Sequence, residues 1–289
     1  MKNQNYEFDI LYELDSSCVM LYDVFTEKIF GTEIENFQKK KPSLPQFIYD
    51  AGFTPESGLT ATQFEDIVLD FITANKVFSK KEIYQSIYER DVHFLISCLQ
   101  GRFLELREHF RIYWHEINTL SPFEASHFTD TVFFQSGEIT ALLFSQINSL
   151  IIKAASILDL VSKIHCEYMS ELPEFSKIAK LRSNKVLFRG YKKFNIDAVQ
   201  NRVFNIIFSL RHELVHNGSI DNNHIYFETK DGKVIKRWIP VQDFSQAGYL
   251  NKSNNRRSFF AQGNEFNRFA PIGIHILLKW LLKTIKDLT

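Results

Sequence analysis

Between Glu138 and Glu171 the chain carries one unbroken helical pattern, and this run limits the fold more than any other part of the sequence. Leu142, Leu143, Ile147, Leu150, Ile151, Ala154, Ile157, Leu158, Val161 and Ile164 recur at helical spacing. The apolar stripe is too wide for one neighbour to cover, so several helices must pack around it. Pro173 lies just past its end. Ser79-x-x-Glu82 fits a capping box and opens a second long helix, about 80–118, lined by Ile83, Ile87, Phe94, Leu95, Leu99, Phe103, Leu106 and Phe110. Thr62-x-x-Glu65 fits the same box and opens a shorter helix over about 62–76. A last helix, about 265–288, turns Ile272, Ile276, Leu277, Trp280, Leu281 and Ile285 inward, with Pro271 marking its start. Phe is abundant at 28 copies while Gly and Pro number only 11 and 7, which favours a mainly α bundle over a loop-rich chain.

Two features read as β. Tyr6, Phe8, Ile10, Tyr12 and Leu14 alternate with Glu7, Asp9 and Glu13, the period of a half-buried strand. Leu21–Phe25 and Ile29–Ile34 flank Thr26-Glu27-Lys28 as a second hairpin candidate. Lys39-Lys40-Lys41-Pro42 reads as a turn or linker. These features make 1–58 a small N-terminal β element and 59–289 a helical domain. Within the latter, 225–238 is a hairpin with Asp231-Gly232 at its tip.

The sequence shows no leader and no uninterrupted apolar run of bilayer length, so no membrane partner is expected. Cys18, Cys98 and Cys166 are odd in number and far apart, which fits a reduced, cytoplasmic setting. Net charge is zero only because the ends cancel. Residues 1–70 hold 13 acids and 5 bases, whereas 175–289 hold 8 acids and 20 bases. A polyanion would bind the C-terminal part; the acidic N-terminal part is where a regulatory protein partner would bind. The plainer reading is an internal match between an acidic and a basic face.

Residues 176–193 form the clearest basic segment, with Lys177, Lys180, Arg182, Lys185, Arg189, Lys192 and Lys193 around Phe188 and Tyr191. Cations interleaved with aromatics suit single-stranded nucleic acid; equally, the aromatics could anchor a solvated loop to the core. Residues 245–258, with Lys252, Arg256 and Arg257, read as a mobile basic loop.

The richest chemistry lies at the end of the apolar run Val203–Leu210. Arg211-His212-Glu213-Leu214-Val215-His216-Asn217-Gly218 ends a helix of about 197–217, with glycine as the stop. His212-Glu213-x-x-His216 is a literal H-E-x-x-H, in which both imidazoles could hold zinc and Glu213 could activate water. Its extended form fails, because Ser219 and Asn222 stand where Gly and His belong; Glu265 is the one downstream carboxylate to nominate as a third ligand. Cations in a last turn also satisfy the helix dipole with no chemistry attached.

Arg211-x4-His216, with polar His212 after the arginine and a long helix before, resembles the R-x4-6-H motif of the HEPN superfamily. The resemblance covers about 137–218 and, loosely, the last helix. It implies a HEPN-like helical bundle and a metal-independent endoribonuclease of toxin or anti-phage defence type, acting as a homodimer without cofactor or metal. Arg211 and His216 would be catalytic and His212 supporting. Asn217, Lys185, Arg189, Lys192, Lys193, Arg256 and Arg257 would hold RNA. A non-catalytic RNA- or protein-binding bundle is the alternative, and zinc peptidase chemistry the third. HEPN toxins silenced through a tyrosine resemble R-x4-H-x-Tyr; here that position is Gly218, which argues against such a partner.

The pair suits RNA cleavage physically. A guanidinium can hold a phosphate by two parallel hydrogen bonds and stabilise developing charge. An imidazole can take the proton of a 2′-hydroxyl already tethered beside that phosphate. Residues five apart on a helix diverge by about 140°, and the family resolves this by pairing two protomers across one cleft.

Overall fold

Reciprocal side-chain caps open the helices that begin after Thr60, Ser79 and Asp197. The computed structural model describes residues 4–45, 60–122, 130–218, 220, 224–251 and 258–289. Among these residues the helices are α1 (Gln4–Phe30), α2 (Ile34–Lys40), α3 (Ala61–Ala74), α4 (Lys80–Thr119), α5 (Glu138–Met169), α6 (Ala198–Asn217) and α7 (Phe266–Lys286). Three short strands, β1 (Val132–Gln135), β2 (Ile225–Lys230) and β3 (Lys233–Trp238), form one antiparallel sheet in the order β1-β2-β3. The protein is therefore mainly α with a small sheet.

The chain interleaves between two units. The first comprises 1–11, 101–158 and 193–282. In it Trp280 of α7 meets the rings of Phe194 and Phe204 at 5.1 and 5.0 Å, and Tyr113 meets Phe266 edge-on at 5.5 Å. Phe133 and Phe227, opposite each other in the sheet, stack on its buried side. The hairpin forms as expected: Asp231 and Gly232 both take positive φ, +50° and +71°, the turn whose twist matches the flanking strands.

The second unit comprises 12–100, 159–192 and 283–289. Leu14, Cys18, Leu21, Phe25 and Ile29 bury one face of α1, and Phe30 stacks on Phe37 at 3.8 Å. Lys28 closes the C-terminus of α5, donating to the carbonyls of Glu167 (2.8 Å), Tyr168 and Ser170 (2.8 Å), which satisfies acceptors the helix leaves open. Burial holds the Lys28 ammonium below its ordinary pKa.

Several expectations need correction. Among the described residues the N-terminal β element is absent: residues 6–14 and 21–30 lie within α1. The residues alternate over nine positions, yet Leu11, Leu14, Cys18, Leu21, Phe25 and Ile29 keep helical spacing much longer, and the longer pattern wins. Of the turn and linker readings of Lys39–Pro42 the turn holds: these residues end α2 and enter a 3₁₀ turn, with Lys40 and Lys41 paired to Glu82 and Glu89. Helix α3 starts at Thr60 and Gln63, which form the reciprocal box two residues before the expected one. The Ser79–Glu82 box forms as read.

Pro271 does not start the last helix. Phe266 and Ala270 are buried and hold a turn ahead of it, so α7 begins at Phe266. Ile272, expected inside, is 61% exposed, and Phe94 and Leu142 also face outward. Strand β1 was not expected, although Val132-Phe133-Phe134 between Asp130 and Gly137 is a short strand signal. One further correction concerns α5: residues Thr140–Met169 are long and apolar enough by composition to cross a bilayer, but half of their most apolar stretch is buried, as in a core helix. Cys18, Cys98 and Cys166 carry free thiols, and burial pushes that of Cys18 up to about 12.

Candidate active site and nucleic-acid interface

Helix α6 opens with a reciprocal box. Asp197 accepts from the Gln200 N–H at 2.8 Å, and Gln200 accepts from the Asp197 N–H at 3.2 Å. Its middle is core: Val203, Phe204, Ile206, Ile207, Phe208 and Leu210 are buried. It ends at Gly218, whose φ of +81° lies in the left-handed region, with its N–H donating to the Leu214 carbonyl at 3.1 Å.

That stop places the cluster on two opposed faces. Arg211, His212, His216 and Asn217 are exposed, whereas Glu213 and Leu214 are buried. His212 and His216, one turn apart, bring their ring centroids to 4.3 Å. Glu213, 5% exposed, accepts from the Asn217 amide at 2.6 Å. Asn217 is thus oriented by Glu213 while its side chain stays at the surface.

The zinc arrangement needs Glu213 turned to the water it would activate, but its carboxylate is inward and engaged. Glu265, the nominated third ligand, is bound to Lys236 at 2.6 Å and Arg268 at 3.1 Å. Among the described residues no group of three or more His, Cys, Asp or Glu converges.

The basic segment takes the anchoring alternative that its sequence left open for its aromatics. Lys177, Lys180, Arg182, Lys185, Arg189, Lys192 and Lys193 are all exposed along a chain with two 3₁₀ turns, Arg182–Lys185 and Phe188–Gly190. The aromatics face inward. Phe188 is buried, its N–H donating to Asp159 at 3.0 Å, and the Tyr191 hydroxyl bonds His165 Nδ1 at 2.6 Å. The aromatics are anchors, and the cations are what the segment presents.

Sequence reading missed Glu167, the principal anchor of this segment. Buried on α5, it accepts from the Tyr88 hydroxyl at 2.5 Å and from the Ser183 N–H at 2.7 Å. Burial, then Glu167 itself, pushes the Tyr88 phenol well above its ordinary pKa, so it remains a donor. Partners 16 and 79 residues away leave no local pattern to read.

Lys185, Arg189 and Lys192 belong to the second unit; Lys193, Arg211, His212, His216 and Asn217 belong to the first. Arg256 and Arg257 lie outside the described residues. The loop of 245–258, read as mobile, is hydrogen-bonded where it is described: the Ser245 N–H donates to the Tyr249 carbonyl at 2.8 Å, the Asn251 N–H to the Asp243 carbonyl at 2.8 Å, and the Asn205 amide to the Ala247 carbonyl at 2.9 Å, while Gly248 packs on the Arg202 carbonyl. Comparison with protein-family models, curated proteins and solved structures finds no match to this chain.

Proposed function

We propose that the protein is a metal-independent endoribonuclease that cuts single-stranded or loop RNA by 2′-hydroxyl attack. One observation carries the reading. At the end of α6 the side chains that RNA cleavage would use, Arg211, His212 and His216, are outward, while the one a zinc peptidase would use as base, Glu213, is buried and held by Asn217. Arg211 would hold the scissile phosphate and stabilise charge in the transition state. His216 would take the 2′-hydroxyl proton, and His212, against its ring, would orient it.

The roughly 140° divergence of Arg211 and His216 on one helix supports a homodimer, in which the two helix ends share a cleft. The exposed cations of 177–193 support a polyanionic substrate. The resemblance to HEPN proteins supports a toxin or anti-phage effector, working in the cytoplasm.

The test compares wild type, Arg211→Ala, His216→Ala and Glu213→Gln on RNA in excess EDTA. Wild type should cut and leave 2′,3′-cyclic phosphate and 5′-hydroxyl ends. The two alanine variants should fold and lose about 10²-fold or more of the rate. Glu213→Gln should keep most of it. Activity abolished by EDTA and by Glu213→Gln, with stoichiometric zinc in the purified protein, would overturn the assignment; folded protein that binds RNA and never cuts would leave a binding module.

A further inference from the structure

The register of the sheet places three aromatic side chains in one row. Phe134 of β1 is directly opposite Tyr226 of β2, and Tyr226 is directly opposite Trp238 of β3. Directly opposed residues share a face, and this is the face away from Phe133 and Phe227. The rings touch along the row: Phe134 to Tyr226 at 6.0 Å, and Tyr226 stacked on Trp238 at 5.6 Å. The Lys236 ammonium sits 4.6 Å from the Trp238 ring centre and closes that end. The other end is Phe134, 58% exposed, with the His224 ring perpendicular to it at 4.6 Å.

The same face carries a row of cations. Lys230 and Lys233 are exposed and directly opposite each other at the hairpin end; Lys236, half-buried further along β3, is already paired to Glu265 at 2.6 Å. Glu228 is the one carboxylate among the strand residues of that face. Like charges directly opposed across strands destabilise a sheet, and a polyanion lying across them removes that cost. A half-buried ring row with Phe134 as its exposed end, beside such a pair, suits a ligand that offers π-faces and negative charge together. Single-stranded nucleic acid offers both, because every base has a face to stack and every link a phosphate.

We propose that this sheet face is a base-stacking platform for single-stranded RNA, with Phe134 as its open stacking surface and Lys230 and Lys233 as phosphate contacts. The inference rests on the ribonuclease reading for the identity of the strand. It adds where the strand lies. His224 stands eight residues after His216, so their Cα atoms are within about 29 Å of each other. A strand seated on Phe134 can therefore run on toward the end of α6. The platform reads no base edges, so recognition there tolerates sequence and requires unpaired bases.

The test uses full-length protein and a fluorescent twelve-nucleotide oligo(dT), which lacks the 2′-hydroxyl and cannot be cut by the proposed reaction. Wild type should bind it, and bind a duplex of the same length more weakly. Phe134→Ala should weaken oligo(dT) binding about 5- to 150-fold, and Phe134→Trp should restore it. Lys230→Gln with Lys233→Gln should lower the slope of log affinity against log salt by about 1.4. Phe134 is exposed, so a fold defect is not expected; matching circular dichroism and thermal unfolding of the variants would establish that. Unchanged affinity in Phe134→Ala overturns the platform, and so does a duplex bound as tightly as the single strand. Phe134-dependent self-association without oligonucleotide binding overturns it in favour of a protein contact. Cleavage that needs Arg211 and His216 but not Phe134 leaves the nuclease and removes the platform. Phe134-dependent binding by a wild type that never cuts does the reverse.

Discussion

Replacing Glu167 by leucine should unfasten the basic segment and lower stability together. The carboxylate is buried and takes two hydrogen bonds, from the Tyr88 hydroxyl at 2.5 Å and the Ser183 N–H at 2.7 Å. Leucine fills similar space but accepts neither. Tyr88 is itself buried, and Ser183 is fully buried, so water cannot replace the lost acceptor without opening the structure. Each buried donor left unsatisfied costs about 1–3 kcal/mol, which gives about 2–6 kcal/mol for the pair. Glutamine keeps one acceptor oxygen and should cost about half as much. Urea unfolding of wild type, Glu167→Gln and Glu167→Leu measures the series, provided the m-values agree.

The second readout is local. Ser183 begins the stretch that Phe188 and Tyr191 anchor further on, so Glu167→Leu should speed tryptic cleavage after Lys180, Arg182 and Lys185 under native conditions. A leucine variant within about 1 kcal/mol of wild type, with unchanged cleavage, would refute the claim that Glu167 holds the segment. Stability lost globally with no local acceleration would show that Glu167 serves the helix packing and not the segment.

Charge reversal of Lys185, Arg189 and Lys192 together should weaken RNA binding and flatten its salt dependence, since all three are exposed; equal affinity in a binding titration would make the segment structural. Gly218→Ala should cost about 1–2 kcal/mol, because its φ is +81° but a Cβ there meets nothing within 4 Å. Gly248→Ala should cost more in the same thermal assay, since its Cβ would lie 2.3 Å from the Arg202 carbonyl oxygen and the backbone must move. Burial, opposed by Glu89, holds the His93 imidazole below its ordinary pKa within a site shared with Thr26, Tyr22, Asp23 and Lys41. The unfolded chain takes up that proton near about pH 6.5, so the contribution is whole above this pH and is lost as pH falls through the lower folded value. His93→Gln should flatten the stability curve between about pH 7 and 5; identical slopes in the two proteins would point to another group.

What the sequence determined alone was whatever depends on neighbours in the chain. The long helices α4 and α5, the Asp231-Gly232 hairpin, the Ser79–Glu82 box and the glycine stop after His216 follow from apolar spacing, capping and permitted φ within a few residues. The Arg211–Gly218 cluster was legible for the same reason. The N-terminus was misread because nine residues fit two periods at once, and only burial of Leu14 through Ile29 against the rest of its unit selects the helical one. Tertiary structure also decided which side chains of the cluster face outward, since sequence places Glu213 beside His212 but cannot say which one the core takes. It turned Phe188 and Tyr191 into anchors and fastened their segment through Glu167. It aligned Phe134 with Tyr226 and Trp238 across 92 and 12 residues of chain, through a register set by strand pairing. Contacts between distant residues are set by which surfaces bury each other, and no local pattern encodes that choice.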